Sequence, residues 1–480
     1  MSTLRVAVGR FGAIAIALIC VQLDYFALAL ALPTMAEDLK TTPENLQWSV
    51  SAYMIALGIT MVPGSRIADL VGRKKIVLIG LSIFGLASLW CGLSTSAEMV
   101  VVARVVQGFG AGMYFPVAMA LVSNATSDAE RSHVLGLLTG IAGIGTAAGP
   151  IVGGAFSATI GWRWVFFVNV PIAIIGVIWG AFQLREQTDP ELRDKRLRDL
   201  DFLGILLIAT SVAGISLGID DLSTEAGSWW YTLAPALVGG ASLVVLYVWE
   251  RRAVWPILPP VLLSNRTFTA LVVASTIANA GLVVMIFLAT LYLQQARGLS
   301  GLTAGLLFIP AALGLSIGGP VSGRIASRYA GARVMTVALL AGAPILAGLA
   351  FAQNLFVYLV LMGLASFFLG LGFQFGNISV QSVVKLSQAG VAAGVLLTIM
   401  VTSGGVAVVA AAASLEAFGD NGSADSFAVT VTYLEWAVLV GVLGVVFGLW
   451  QWRRAVPPGA VAGDERGVAA ARATRDVAEG

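Results

Sequence analysis

Apolar runs of about twenty residues recur from one end of this chain to the other, the length that carries an α-helix across ~30 Å of hydrocarbon. Inside lipid a backbone must satisfy its own hydrogen bonds, so a chain made of such runs is restricted to bundled helices. The 480 residues are 58% hydrophobic and 11% charged, with a mean hydropathy of +0.90, whereas a soluble chain is about a quarter charged. A water-soluble enzyme is excluded. The net charge of +2 is small and the basic residues gather at span ends instead of forming a stripe, which argues against a nucleic-acid partner. Cys20 and Cys91 both fall inside apolar runs, so neither a disulfide framework nor a metal site is indicated.

The pattern places fourteen spans near 11–33, 47–68, 76–95, 99–122, 133–157, 164–183, 202–219, 231–250, 268–294, 302–325, 333–352, 355–381, 389–415 and 431–452. The first follows Arg5 and Arg10 and could be mistaken for a signal peptide. Its apolar stretch exceeds the ~7–15 residues of a signal core, carries Asp24 and leads straight into further spans, so it reads as an uncleaved helix. Alternate loops hold Arg66, Arg73, Lys74, Lys75, Arg131, the arginines and lysine of 185–198, Arg251, Arg252, Arg266, Arg324, Arg328, Arg333 and Lys385. The opposite loops offer only Lys40, Arg163 and Arg297. Cytoplasmic loops retain lysine and arginine, so both termini are expected in the cytoplasm, with the chain embedded in the plasma (inner) membrane. The tail, 453–480, mixes glycine, alanine and alternating charges from Pro457 onward and is expected to be disordered.

A faint repeat divides the chain. "SRIAD" at 65–69 returns as "GRIAS" at 323–327, each closing an apolar span. Eight spans separate the copies, so both fall on the same side of the membrane, as a parallel repeat requires. The simplest division is a six-helix bundle over 1–184, a charged linker with two inserted helices over 185–267, and a second six-helix bundle over 268–452.

Four motifs resemble the fourteen-span drug/proton antiporters of the major facilitator superfamily. The loop "SRIADLVGRKK" is similar to the superfamily's signature in Asp69, Gly72, Arg73 and Lys74, although Ser65 and Leu70 depart from it. The fourth span carries "RVVQGFGAG", with Arg104, Gln107, Gly108 and Gly110; the fifth carries "GTAAGPIVGG", with Gly145, Gly149, Pro150, Gly153 and Gly154. The fourth motif, "WRWVFFVNVP" at 162–171, is the most specific to the fourteen-span branch, and it also suits an aromatic belt at the interface. The resemblance implies an all-α major facilitator fold of two six-helix bundles plus two inserted helices. It also implies export by alternating access.

Physical chemistry supplies roles beside the resemblance. In lipid, helix association depends on close backbone approach; Gly145, Gly149 and Gly153 recur every four residues, and the tenth span has Gly314, Gly318, Gly319 and Gly323. Spans five and ten are therefore expected to meet through these glycines and form the surface on which the halves rock, with Pro150 adding a kink. Charges inside the bilayer cost roughly 2.5–3.5 kcal/mol at mid-depth. Asp24 and Arg104 are placed at depths about 6 Å apart, given ~1.5 Å rise per residue, so they can share one cavity. Burial penalises a carboxylate's charge and a guanidinium beside it restores it; shifting that balance between conformations lets a proton be taken up and released. The alternative is a static ion pair. Resemblance favours the active role, because the acid in "LDYFALALALP" matches the family's first-span motif. Glu416 and Glu435, nearer the ends of spans thirteen and fourteen, are further proton-site candidates.

Tyr25, Phe26, Tyr53, Gln107, Tyr114, Phe287, Phe373 and Phe375 are the candidates for a pocket taking a bulky apolar or aromatic compound. No Walker-type loop occurs, so no nucleotide or other cofactor is expected and the proton gradient is the expected drive. The expected partners are a small amphipathic organic substrate, protons and the lipid bilayer, with the chain acting as a monomer. The alternatives are a proton-independent facilitator or importer, and a non-transporting receptor or scaffold.

Overall fold

A computed structural model describes residues 2–41, 43–188, 199–220, 229–326, 329, 331–385, 388–418 and 426–452. They form α1 (Ser2–Asp38), α2 (Pro43–Val71), α3 (Arg73–Gly92), α4 (Ala97–Ala125), α5 (Asp128–Thr159), α6 (Arg163–Gln183) and α7 (Phe202–Asp220). Then come α8 (Trp229–Glu250), α9 (Arg266–Leu291), α10 (Gly301–Ala326), α11 (Gly331–Phe351), α12 (Leu355–Ser382), α13 (Ala389–Phe418) and α14 (Ser426–Trp452). Thirteen are long and apolar enough to cross a membrane, and α7 adds a shorter apolar stretch, Phe202–Gly218. The middle of the charged linker and the tail 453–480 lie outside the described residues.

The helices start and stop where local chemistry dictates. Ser96, Asn265, Ser300 and Asn354 accept hydrogen bonds from backbone N–H groups of the first turns they precede, relieving donors that a helix leaves orphaned. Only Gly72 separates α2 from α3, at φ 118°, a conformation L side chains rarely adopt. Helix α6 breaks at Val168, between Arg163–Phe167 and Asn169–Gln183, and α10 breaks at Phe308, two residues before Pro310. These breaks, the π-turn Tyr292–Ala296 after α9 and the start of α1 at Ser2 depart from the span pattern, because hydropathy reports the apolar length and not the helix that continues beyond or within it.

In the first half α1 packs along α5, and α4 packs between α2 and α3; in the second, α12 packs between α10 and α9 while α11 pairs with α14. Two seams join the halves, α5 against α10 and α2 against α13. Helices α7 and α8 pack chiefly on each other, through Gly214 and Gly239, and α7 leans on α2 and α13. Their buried Ile208, Val212 and Leu246 join the apolar cluster of α9–α14.

On α5 the contact with α10 is made by other glycines than Gly145, Gly149 and Gly153. A Cβ on Gly136 would strike the Gly319 carbonyl at 2.6 Å, one on Gly140 the Pro320 ring at 2.6 Å, and one on Gly154 the Gly301 carbonyl at 2.7 Å. Gly145, Gly149 and Gly153 instead press on α1, at Ile19, Phe26 and Ala27. On α10, Gly319 and Gly323 face α5, but Gly314 and Gly318 face α12. Helix α5 carries two small-residue stripes, and the motif's stripe is the one that closes its own half. Pro150 sits within continuous helix and turns its carbonyl toward Gly305 of α10.

Candidate functional site

Buried polar groups in an apolar bundle must find partners within the protein, and the largest such cluster surrounds Asp24 on α1. Its Oδ2 accepts from Arg104 Nη1 of α4 at 2.5 Å, and its Oδ1 accepts from Gln107 Nε2 at 3.0 Å and Asn169 Nδ2 at 2.9 Å. Arg104 also donates to Gln107 Oε1 at 2.6 Å and, through Nε, to the Ser49 carbonyl at 3.0 Å. Gln107 donates to Ser88 Oγ at 2.6 Å. The Arg104 guanidinium lies 4.0 Å from the Tyr53 ring centroid, and Asp24, Arg104, Gln107 and Asn169 are 0% exposed. One carboxylate thus receives donors from α4 and α6 while α1 carries it. Any shift of α1 against those helices changes which donors reach the carboxylate.

Asp24 looks away from the space between the halves, but its neighbours do not. Val21, Gln22, Tyr25 and Phe26 line a cavity with Phe115 of α4, Asn279 of α9 and Phe373 of α12. Among the described residues no charged side chain lines it; Gln22 donates to Thr146 Oγ1 at 2.9 Å, and Asn279 donates to the Met400 carbonyl at 3.0 Å. An apolar lining with a few placed polar groups suits a mostly apolar molecule.

Of the aromatic candidates, Tyr25, Phe26 and Phe373 stand on the cavity wall, and five other expected pocket residues do not. Tyr53 and Gln107 are sealed into the Asp24 cluster. Tyr114 is buried with its hydroxyl on the Ala17 carbonyl, while Phe115, one residue and about 100° further round the helix, faces the cavity. Phe287 and Phe375 pack in the apolar core of α9–α14. Glu435 is exposed and accepts from Ser414, apart from the Asp24 cluster, and the side chain of Glu416 lies outside the described residues.

The loop motif joins four elements. Arg73 donates to Asp69 Oδ1 through Nη2 at 2.9 Å and Nε at 3.1 Å, and both side chains are buried. A Cβ on Gly390, at the start of α13, would lie 3.8 Å from Asp69 Oδ1. The carboxylate therefore sits at the partly positive end of a helix from the other half. Lys74 donates its backbone N–H to Glu186 at 3.0 Å and its Nζ to the Ala181 carbonyl at 2.7 Å, and the Glu186 carboxylate rests on Gly72. At the opposite end of the molecule Asp38 accepts from Arg163 at 2.5 Å and from the Trp162 indole at 3.1 Å.

"WRWVFFVNVP" therefore does more than form a belt. Trp162 and Arg163 tie the ends of α1 and α3, Phe166 lies beneath Arg104, and Asn169 reaches Asp24. The sequence reading missed Asn169; its signal was an amide inside an apolar span, two residues before Pro171.

The fourteen helices, the paired seams and the buried loop motif point to one class of membrane protein, and a profile of the Major Facilitator Superfamily matches residues 14–411. The chain belongs to that superfamily. It is 33% identical over 311 residues to an uncharacterised MFS-type transporter of Mycobacterium tuberculosis, covering 64% of this chain and 52% of that protein. It is 30% identical over 401 residues to the multidrug resistance protein Stp of M. tuberculosis, covering 79% of this chain and 70% of that one. The chain spans about half the length of the first of these relatives. Its fold is like that of the human organic anion transporter MFSD10, with TM-score 0.64 and 14% identity, over 93% of this chain and 100% of that one.

Proposed function

We propose that this major facilitator protein is a proton-coupled exporter of amphipathic organic compounds, its basic loops in the cytoplasm and its two six-helix halves alternating about the central cavity. The observation that carries the proposal is the position of Asp24: fully buried, held by three donors, on the helix whose neighbouring residues Tyr25 and Phe26 line the cavity. Substrate pressing on Tyr25 and Phe26 moves α1, and α1 carries the carboxylate between arrangements that favour its charged or neutral form. Efflux is supported by the kinship with the Stp multidrug resistance protein. A proton crossing ~100 mV releases ~2.3 kcal/mol, which sustains roughly a fifty-fold solute gradient. The drive needs no cofactor, and one chain contains the cavity and the acid.

Asp24→Asn keeps size and hydrogen bonding but removes the titrating group. In purified protein presented with a panel of dyes and antibiotics, wild type should release protons on substrate binding, and Asp24→Asn should bind without release. Equal proton release by both would place the carrier elsewhere, with Glu435 and Glu416 next to test. Binding without release even in wild type would favour a proton-independent facilitator.

A further inference from the structure

A groove near the basic loops belongs to neither the Asp24 cluster nor the central cavity. It lies between α8 and a short helix, Pro260–Ser264. Its walls are apolar, from Leu243, Leu246, Leu258, Val261 and Leu263. One end is polar, with Tyr247, Glu250, Arg251 and Ser264. Arg251 lies 4.2 Å from the Tyr247 ring centroid and donates to its hydroxyl, so its guanidinium is held at the mouth of the groove. Arg252 and Arg266, both exposed, stand one and two residues along the chain from the lining residues Arg251 and Ser264. Glu250 is 4% exposed and turned inward: its Oε1 accepts from the Leu258 N–H at 3.1 Å, and Arg66 lies within electrostatic reach of it.

We propose that this groove binds an anionic phospholipid from the leaflet on the basic face. The apolar walls continue the lipid-facing surface of α8, where Leu243, Val244 and Tyr247 are exposed, so an acyl chain can enter without leaving hydrocarbon. Arg251 at the polar end, with the exposed Arg252 and Arg266 close by in the chain, supplies the complement to a phosphodiester with net negative charge, and a planar guanidinium meets phosphate oxygens in bidentate fashion. Free phosphate would leave the apolar walls unused. The groove is preformed, since Pro256, Pro259 and Pro260 restrict the strand that makes its far wall. That strand is also anchored to the switch region: Arg66 of α2 donates to the Pro256 carbonyl at 2.7 Å and the Ile257 carbonyl at 3.1 Å. A lipid in the groove therefore braces the two inserted helices against α2. The site stands whether or not the protein exports drugs.

The test uses the full chain, purified and stripped of lipid by detergent washing, then titrated with dioleoylphosphatidylglycerol, dioleoylphosphatidylcholine or inorganic phosphate. Retained lipid is read by native mass spectrometry and the unfolding temperature by intrinsic fluorescence. Phosphatidylglycerol should be retained and should raise the unfolding temperature, with phosphatidylcholine and phosphate giving neither effect. Joint Arg251→Ala and Arg252→Ala substitution should weaken phosphatidylglycerol retention by about thirtyfold, from the usual attraction per basic residue near an anionic surface. Val261→Trp leaves the charges in place and fills the groove, so it should also expel the lipid and serves if the arginine variant does not fold. Equal retention of the two lipids, stabilisation by phosphate alone, or unchanged retention in Val261→Trp would overturn the proposal.

Discussion

Asn169 is the residue whose importance depends most on three-dimensional context. Its side-chain amide donates at 2.9 Å to a carboxylate with no exposed surface, and hydrogen bonds to a buried charge are worth about 1.5–3 kcal/mol. Asn169→Ala should lower stability by that order and displace the pH profile of substrate-induced proton release, because Asp24 loses one of its three donors. Asn169→Ser, which keeps a shorter donor, should recover part of the shift; a purely structural role would change stability and leave the pH profile in place. The charged pair itself was legible in sequence, since Asp24 and Arg104 were each too costly in hydrocarbon to stand alone. An asparagine in an apolar span carries no such penalty signature. At the far end, Arg163 and then Trp162 hold the Asp38 carboxyl below its ordinary value. A depressed acid contributes stability above its unfolded value, ~3.9 for Asp, and loses it as pH falls through the lower folded value. The stability difference between wild type and Asp38→Asn should accordingly stay constant from neutral pH down to about 4, as followed by thermal unfolding, and shrink only in stronger acid. A difference already gone at mildly acidic pH would mean that the Arg163 contact is not made in solution.

Helix α5 shows how an element can be read correctly in kind and wrongly in face. Its abundance of glycine signalled close packing in lipid, and it does meet α10, but through Gly136, Gly140, Gly143 and Gly154, whose steps of four, three and eleven keep to one straight seam. The four-residue steps of Gly145, Gly149 and Gly153 drift to another side and meet α1. Sequence spacing defines a stripe, but when a helix has two stripes it does not say which partner takes which. The same limit explains the aromatics: Phe115 and Tyr114, or Phe373 and Phe375, differ in direction by a rotation that composition cannot assign without the neighbouring helix. Two substitutions separate the seams. Gly140→Leu pushes into Pro320 and the Ser316 carbonyl of the other half, so it should leave the first half intact and cut transport at least tenfold, a barrier change of about 1.4 kcal/mol. Gly149→Leu drives into Phe26 and Ala27 of the same half, and should lower folding stability by about 1–3 kcal/mol, as overpacking does. If Gly140→Leu transports normally while Gly149→Leu is stable yet inactive, the assignment of the two seams is reversed.

For the molecule as a whole, the contacts around Asp69 hold the halves together on the basic face. A Cβ on Gly394 of α13 would lie 2.9 Å from the Met61 carbonyl and 3.3 Å from Ser65 Oγ of α2, and Thr398 donates to the Gly58 carbonyl at 3.1 Å. Span count, the repeat and the loop motif were visible in sequence because each is local or periodic. This seam was not, since residues more than three hundred positions apart compose it without any charged signature. Its geometry allows a direct test of alternation. Ser65→Cys with Gly394→Cys places two thiols within disulfide reach, the usual Cβ separation being about 3.5–4.5 Å, and the native Cys20 and Cys91 are both buried and free. The crowding at Gly394 requires a small backbone shift, so the reduced double variant is the reference for every comparison. Oxidation should lock the basic face shut, abolish transport in vesicles and leave substrate binding from the opposite side, and a reductant should restore transport. If the oxidised protein is cross-linked on a gel yet still transports at the reduced rate, α2 and α13 do not separate during the cycle, and the rocking of two halves about the Asp24-bearing helix is wrong for this protein.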